Sequence, residues 1–188
     1  PLLLSAQEEG VDAIRAAKDA LDVPVFVKLS PLGREMPRAA EHAAEAGVDA
    51  FQASASDHDH PELLRGLAAT GRPLLVGVGP VPERLVWEAL DVAGERAALL
   101  LCSPAAPAAV EELRLGEVPA RRERHRVPVG ILDSTDGSSA FALLAPALAA
   151  AHGADFVEKR LTLDRSRKGR DWAAAMSPEE FYRMVELL

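Results

Sequence analysis

The sequence predicts a parallel α/β protein, a (β/α) barrel of the TIM type that is short, with about seven βα units. Short apolar runs rich in β-branched residues recur along the chain, and each is followed by a turn and a stretch with helical spacing. The runs begin about 20 to 30 residues apart, which is the length of one βα unit with its crossover. They are continuously apolar, as strands are when helices cover both faces of a sheet.

Seven strands are expected, in the order in which the apolar runs occur. The runs are Leu2–Leu4, Val23–Val27, Val48–Phe51, Pro73–Val76, Ala97–Leu101, Val127–Leu132 and Ala154–Val157. Gly47 and Gly153 each end a helical stretch and lead into a strand, as helix-terminating glycines do. No Gly-x-Gly-x-x-Gly follows the first run, which favours a barrel over an open dinucleotide-binding sheet.

Length and composition favour one globular domain over residues 1–188. The chain has 188 residues, 48% of them hydrophobic, and a net charge of −8, which argues against a nucleic-acid partner. The basic cluster Arg121–Arg126 runs against that charge and is interpreted as solvated surface. The apolar runs are too short to cross a bilayer, no signal-peptide pattern opens the chain, and a single cysteine suits a reducing compartment. These features predict a cytoplasmic protein without a membrane partner.

In a barrel, chemistry is found at the carboxyl ends of the strands. The strand-end side chains to inspect are Lys28, Ser30, Gln52, Cys102, Ser103, Asp133, Ser134, Thr135, Glu158, Lys159 and Arg160. Because Glu158 and Lys159 are adjacent on a strand, they point to opposite faces of it.

The stretch from Pro128 to Phe181 carries the most specific motifs. The motif Gly-Tyr-Ser-Asp-His-Thr-x-Gly is matched at Gly130, Asp133, Thr135 and Gly137. The motif Glu-Lys-His-Phe-Thr-Leu-Asp is matched at Glu158, Lys159, Thr162, Leu163 and Asp164. A third motif, Gly-x-Asp-His, is matched at Gly169 and Asp171. These motifs resemble the last two βα units of the sialic acid synthase family, which includes spore-coat polysaccharide relatives. The segments "AGVDAFQASASD", "TGRPLLVGVGP" and "LLLCSP" look like earlier strands of that family, so the likeness covers roughly residues 46–188.

The resemblance implies a function in surface-polysaccharide biosynthesis. The family condenses phosphoenolpyruvate with an N-acyl mannosamine-type sugar and uses a divalent metal such as Mn²⁺ or Mg²⁺. It implies catalytic roles for Asp133, Glu158 and Lys159, and substrate or anion binding by Ser30, Gln52, Ser103, Thr135 and Ser138. Compared with the family, the chain is expected to lack the first unit or units and the C-terminal antifreeze-like domain.

Departures from the family's pattern fall on the chemistry. The two histidines that hold its metal correspond to Leu101 and Ser134, and neither residue is a good ligand. Its phosphate-binding lysine corresponds to Gln52, its Ser-Thr-Gly to Gly77–Gly79, and the histidine after Glu-Lys to Arg160. These losses remove charge stabilisation that the reaction needs, so no cofactor is expected and catalysis is predicted to be impaired or altered. The alternative is a non-catalytic sugar- or anion-binding or assembly module.

The stretch "SASDHDHPELL" raises a second alternative, a metal site at His58 and His60. Two histidines and a nearby carboxylate fall short of the three or four convergent ligands that a site needs. The competing interpretation is a helix start, with Pro61 at the first helical position and Asp59 or His60 at the cap.

Three further features complete the expectations. "VPVFVKLSP" resembles a strand of the dihydroorotate dehydrogenase barrels, in which Lys28 would contact flavin. Gly137-Ser138-Ser139 opens a helix, where backbone amides either attract an anion or are capped by serine. Seven strands leave an exposed edge, which predicts a homo-oligomer or a partner subunit that covers it. The expected ligand is a small sugar or phosphate-bearing molecule.

Overall fold

A computed structural model describes residues 2–4, 8–20, 22–29 and 36–188 of the chain. The chain divides into two compact units, Pro1–Ala98 and Leu99–Leu188. Among the described residues, no helix is both long enough and apolar enough to cross a membrane.

The first unit alternates strands and helices. Its elements are β1 (Leu2–Leu4), α1 (Glu8–Ala20), β2 (Phe26–Leu29), α2 (Met36–Glu45), β3 (Ala50–Ala53), α3 (Pro61–Ala69), β4 (Leu74–Val78) and α4 (Glu83–Ala93). Strands β1 to β4 pair in parallel with their neighbours in chain order. Every residue of β3 and β4 is buried, which explains why β4 is continuously apolar and why Gln52 is the one polar residue of β3.

The second unit continues the alternation. Its elements are β5 (Ala97–Cys102, which starts at the boundary), α5 (Glu117–His125), β6 (Val129–Asp133), α6 (Ala140–Ala151), β7 (Val157–Leu161), β8 (Ala175–Met176) and α7 (Pro178–Glu186). Strands β5 to β8 also pair in parallel in chain order. Met176 of β8 packs with Ala142 of α6 and Met184 of α7 in a buried apolar cluster.

The parallel α/β class predicted from the sequence is therefore confirmed. Each of the seven predicted strands is present within a few residues of its predicted place, and the two-residue β8 is an addition. Strand β8 was missed because Ala175 and Met176 form too short a run to stand out from the loop before them.

The joint between α2 and β3 depends on one glycine and one carboxylate. Gly47 adopts φ +94°, a conformation that favours glycine, and turns the chain out of the helix. Two residues later, the Asp49 carboxylate accepts hydrogen bonds from the Val25 backbone N–H at 2.7 Å and from Lys18 Nζ at 2.8 Å. The Asp49 side chain thus ties α1 and the start of β2 to the start of β3.

The same joint occurs again before β7 in the second unit. Gly153 has φ +87°, and Asp155 accepts from the Val129 backbone N–H at 2.8 Å and from the Arg122 guanidinium. The repeated Gly-x-Asp of the sequence therefore has the same structural role twice. In each case, the aspartate accepts hydrogen bonds from a cationic side chain on the helix before the preceding strand and from a backbone N–H at the start of that strand.

Candidate active site

The ends of β6 and β7 place an ion pair in the interior. Asp133 and Lys159 are paired residues in the register of the two strands, and Lys159 Nζ lies 2.7 Å from Asp133 Oδ2. Their side chains are 0% and 1% exposed. The other carboxylate oxygen accepts hydrogen bonds from the Thr135 backbone N–H at 2.9 Å and from its hydroxyl at 2.7 Å. Both oxygens are therefore bonded, which offsets the cost of burying the charges.

On the opposite face of the same two strands lies an arginine cluster formed by Ser134, Arg160 and Asp171. Arg160 Nε donates to Asp171 Oδ2 at 3.1 Å, and Nη1 donates to the Ser134 hydroxyl at 2.5 Å. Ser134 is fully buried, whereas the Arg160 and Asp171 side chains are 22% and 37% exposed. Adjacent strand residues point to opposite faces, so the side chains of Lys159 and Arg160 lie in different surroundings. Asp171 balances the charge of Arg160, and the guanidinium N–H groups not used in these two bonds can donate at the strand ends.

The loop after β6 is held against β8. The Gly137 N–H donates to the Ala173 carbonyl at 2.9 Å, and a Cβ at position 137 would overlap the Ala175 carbonyl. Only glycine permits this close approach of two backbone segments. The loop that carries Ser134 and Thr135 is consequently fixed by backbone contacts.

The helix start after that loop is capped by serine. Ser139 is the N-cap of α6, and its hydroxyl accepts from the Ala142 N–H at 3.2 Å. Ser138 donates from its hydroxyl and its backbone N–H to Asp136 Oδ1, at 2.7 and 2.9 Å. These two hydrogen bonds hold the pKa of Asp136 below its ordinary value. Of the two alternatives for this segment, the structure shows the serine cap, one residue after Ser138.

Three hydroxyl groups of the second unit have substrate-binding roles implied by the family resemblance, and all three donate to carboxylates. Thr135 donates to Asp133, Ser138 to Asp136, and Ser103 to Glu112 Oε2 at 3.0 Å. A hydroxyl has one proton to donate, so each would have to turn to donate to a bound anion. Glu158 precedes Lys159 on β7 and is partly buried.

The first unit carries the other predicted site residues. Gln52, at the end of β3, is 5% exposed and lies opposite Lys28 in the strand register. Gly77 is tightly packed, because a Cβ there would lie 2.8 Å from the Ala53 carbonyl. Ser30 lies outside the described residues.

The histidine stretch begins a helix, as the second interpretation predicted. Pro61 is the first residue of α3 and His60 is its N-cap, although the His60 side chain makes no capping hydrogen bond. His58 has Nε2 2.8 Å from the Gly77 carbonyl and Nδ1 3.3 Å from the Leu85 carbonyl, so both ring nitrogens face protein oxygens. Across the described ranges, no group of three or more His, Cys, Asp or Glu residues could hold a metal ion.

Parallel βα units with buried ionic groups at the carboxyl ends of the strands define an α/β protein with a polar strand-end site. The sequence profile of the NeuB family matches residues 36–188. The chain belongs to the NeuB family, which confirms the resemblance seen in the sequence.

Individual relatives agree with the family profile. The uncharacterized protein MJ1065 of Methanocaldococcus jannaschii is 35% identical over 142 residues, covering 73% of this chain and 41% of that protein. The pseudaminic acid synthase of Campylobacter jejuni is 27% identical over 141 residues, covering 73% of this chain and 40% of the enzyme. The chain thus spans about two fifths of the length of the curated relatives it matches.

A solved structure shares the fold. The N-acetylneuraminic acid synthetase of Leptospira borgpetersenii, in complex with citrate, superposes with a TM-score of 0.82 at 21% identity, covering 95% of this chain and 61% of that one.

Sequence reasoning places Arg160 among the strand-end residues but gives neither Arg160 nor Asp171 a catalytic or binding role. Arg160 departs from a motif and Asp171 matches one, but the ten residues between them conceal their contact. A usable signal was the strand alternation, which places Arg160 beside Ser134 on the face opposite Lys159.

Proposed function

We propose that this chain forms the catalytic-barrel part of a sugar-acid synthase that acts in surface-polysaccharide biosynthesis. The observation that carries the proposal is the set of ionic groups at the ends of β6 and β7, in a chain whose family match covers residues 36–188. The reaction would form a carbon–carbon bond between phosphoenolpyruvate and an N-acyl mannosamine-type sugar, consume one water molecule and release inorganic phosphate. Altered catalysis is part of the proposal, because the family's cationic and imidazole groups are replaced at several positions.

The proposed roles follow from burial. Asp133 and Lys159 fix the ends of β6 and β7 through their buried pair and act as positioning residues in the described conformation. Glu158 is the proposed proton carrier. Ser103, Thr135 and Ser138 are the proposed contacts for oxygen atoms of the ligand, as hydrogen-bond acceptors or after rotation of their hydroxyls.

The ligand class is a small anionic molecule. The Leptospira structure is described as a complex with citrate, a tricarboxylate. Carboxylate and phosphate groups are both recognised by planar guanidinium donors, and Arg160 supplies such a group here.

A second candidate function is ligand binding without turnover. It is favoured by the mutual pairing of Asp133 and Lys159, which leaves neither charge directed at a ligand. A partner subunit or second copy that covers a sheet edge stays a prediction, which light scattering of the full chain tests.

The deciding experiment incubates the full chain with phosphoenolpyruvate and N-acetylmannosamine, with EDTA and again with Mn²⁺. Phosphate release and the mass of the product are measured together. We expect product whose formation is lost in the Glu158→Gln variant and kept in the surface variant Arg84→Gln. Binding of phosphoenolpyruvate without product in either buffer would overturn the synthase proposal and support the second candidate.

A further inference from the structure

Arg160 is held at two of its guanidinium nitrogens. Its Nε and Nη1 groups are bonded to Asp171 and to the buried Ser134 hydroxyl, and its side chain is only 22% exposed. These two bonds occupy two of the five N–H donors of a guanidinium. Because both ends of the fork are anchored, the group keeps one orientation at the end of β7, and little further entropy is lost when it binds a ligand.

The residues at the two positions that correspond to the family's metal ligands do not fit a divalent metal. The family resemblance places the two metal-binding histidines at positions 101 and 134. Leu101 is 4% exposed and offers no lone pair. The Ser134 oxygen accepts a hydrogen bond from Arg160 at 2.5 Å, so a cation bound to Ser134 would lie beside a full positive charge.

We propose that Arg160 is an anion-binding residue that takes the place of a divalent metal, so that this chain binds its anionic ligand independently of metal ions. The ligand group is a carboxylate or a phosphate, both of which match the planar fork of a guanidinium. Asp171 is a positioning residue, since it holds Nε and directs the rest of the fork. The inference rests on the proposed function for the class of ligand only.

The test is calorimetric titration of the full chain with pyruvate and, separately, with inorganic phosphate. Each titration is made in EDTA and again with Mn²⁺. We expect at least one of the two anions to bind with the same affinity in both buffers. Its identity tells whether the site takes a carboxylate or a phosphate. The Arg160→Gln variant should weaken this binding by about tenfold or more, the effect of losing a charged hydrogen bond.

Two controls make the result specific. Arg84→Gln removes the same charge from an exposed Arg–Glu pair on α4 and should leave the affinity unchanged. Arg160→Lys keeps the charge but loses the fork, so its affinity should lie between those of wild type and Arg160→Gln. Far-ultraviolet circular dichroism of each variant verifies the fold.

Several outcomes would overturn the proposal. They are tenfold tighter anion binding with Mn²⁺ than with EDTA, equal affinity in Arg160→Gln and wild type, and no binding of either anion by wild type at millimolar concentration. If Arg160→Gln does not fold, Mn²⁺ paramagnetic resonance of wild type decides, because a lowered free Mn²⁺ signal contradicts the proposal. Failure of the synthase assay alone would leave the anion affinities intact, so the two proposals can fail separately.

Discussion

Lys159 and Asp133 face each other across neighbouring parallel strands, with 2.7 Å between Nζ and Oδ2 and almost no solvent contact. Isolated buried charges are costly, and each member of this pair makes burial of the other tolerable. The pair therefore couples the positions of the two strand ends that carry the arginine cluster.

The contributions of Asp133 and Lys159 to stability should depend strongly on each other. Lys159→Met leaves a buried carboxylate and should lower the free energy of unfolding by about 3–5 kcal/mol. Combining it with Asp133→Asn, which can still accept from Thr135, should cost less than the two single changes summed. Urea denaturation followed by circular dichroism measures each value.

The exposed pair Arg84–Glu88 is the control for this comparison of single and double variants. Its side chains are 72% and 55% exposed, and its coupling should stay below about 0.5 kcal/mol. Equal coupling energies at the two pairs would contradict the importance given to burial.

Gly137 should not tolerate a methyl group. A Cβ there overlaps the backbone of Ala175, so Gly137→Ala must displace the loop from β8 and should cost about 1–3 kcal/mol. Gly116 is the matched control, because a Cβ at that position meets nothing within 4 Å. Thermal unfolding should show a lowered midpoint for Gly137→Ala and one close to wild type for Gly116→Ala; similar shifts would argue against the tight loop.

The Asp49 joint should make stability depend on acid. Hydrogen bonds from Lys18 and from the Val25 N–H hold the pKa of Asp49 below its ordinary value, against a smaller opposing effect of burial. A lowered folded-state pKa gives stability that is present above the unfolded-state pKa and lost as the pH falls through the folded-state one.

Wild type should therefore have a higher free energy of unfolding than Asp49→Asn at pH 7, and this difference should become smaller below about pH 4. Urea midpoints at several pH values measure it. Lys18→Met removes the main cause of the shift and should weaken the pH dependence. A gap that stays constant down to pH 3 would exclude this linkage.

The start of α7 depends on reciprocal capping. The Ser177 hydroxyl accepts from the Glu180 N–H at 3.3 Å, and Glu180 Oε2 accepts from the Ser177 N–H at 2.7 Å. Ser177→Ala should cost about 1 kcal/mol in chemical denaturation, and Ser177→Thr should recover most of it. If alanine and threonine gave the same stability, the cap would contribute nothing.

Strand order and class were predictable because strands buried on both faces, such as β4, are apolar throughout. The family motifs also named Asp133 and Lys159, whose contact follows from adjacent strand ends. The direction of the Thr135 and Ser138 hydroxyls was not predictable, since it depends on local carboxylates that compete for each proton.

The contacts within the arginine cluster could not be predicted from the sequence. Arg160 can be recognised from the sequence as a strand-end cation, but its partners Ser134 and Asp171 come from two loops that the hydrogen bond from the Gly137 N–H to the Ala173 carbonyl holds together. The charge can therefore be predicted from the sequence, but the contacts that hold it cannot.

The two glycine–aspartate joints bear on how the chain reaches its fold. Asp49 accepts a hydrogen bond from the backbone N–H of Val25, 24 residues earlier, and Asp155 from that of Val129, 26 residues earlier. Each of these hydrogen bonds closes a short loop inside its own unit. The entropy cost of loop closure rises with length, and contacts near in sequence form early. The first unit can thus assemble its strand pairs as it leaves the ribosome, before the second unit is synthesised.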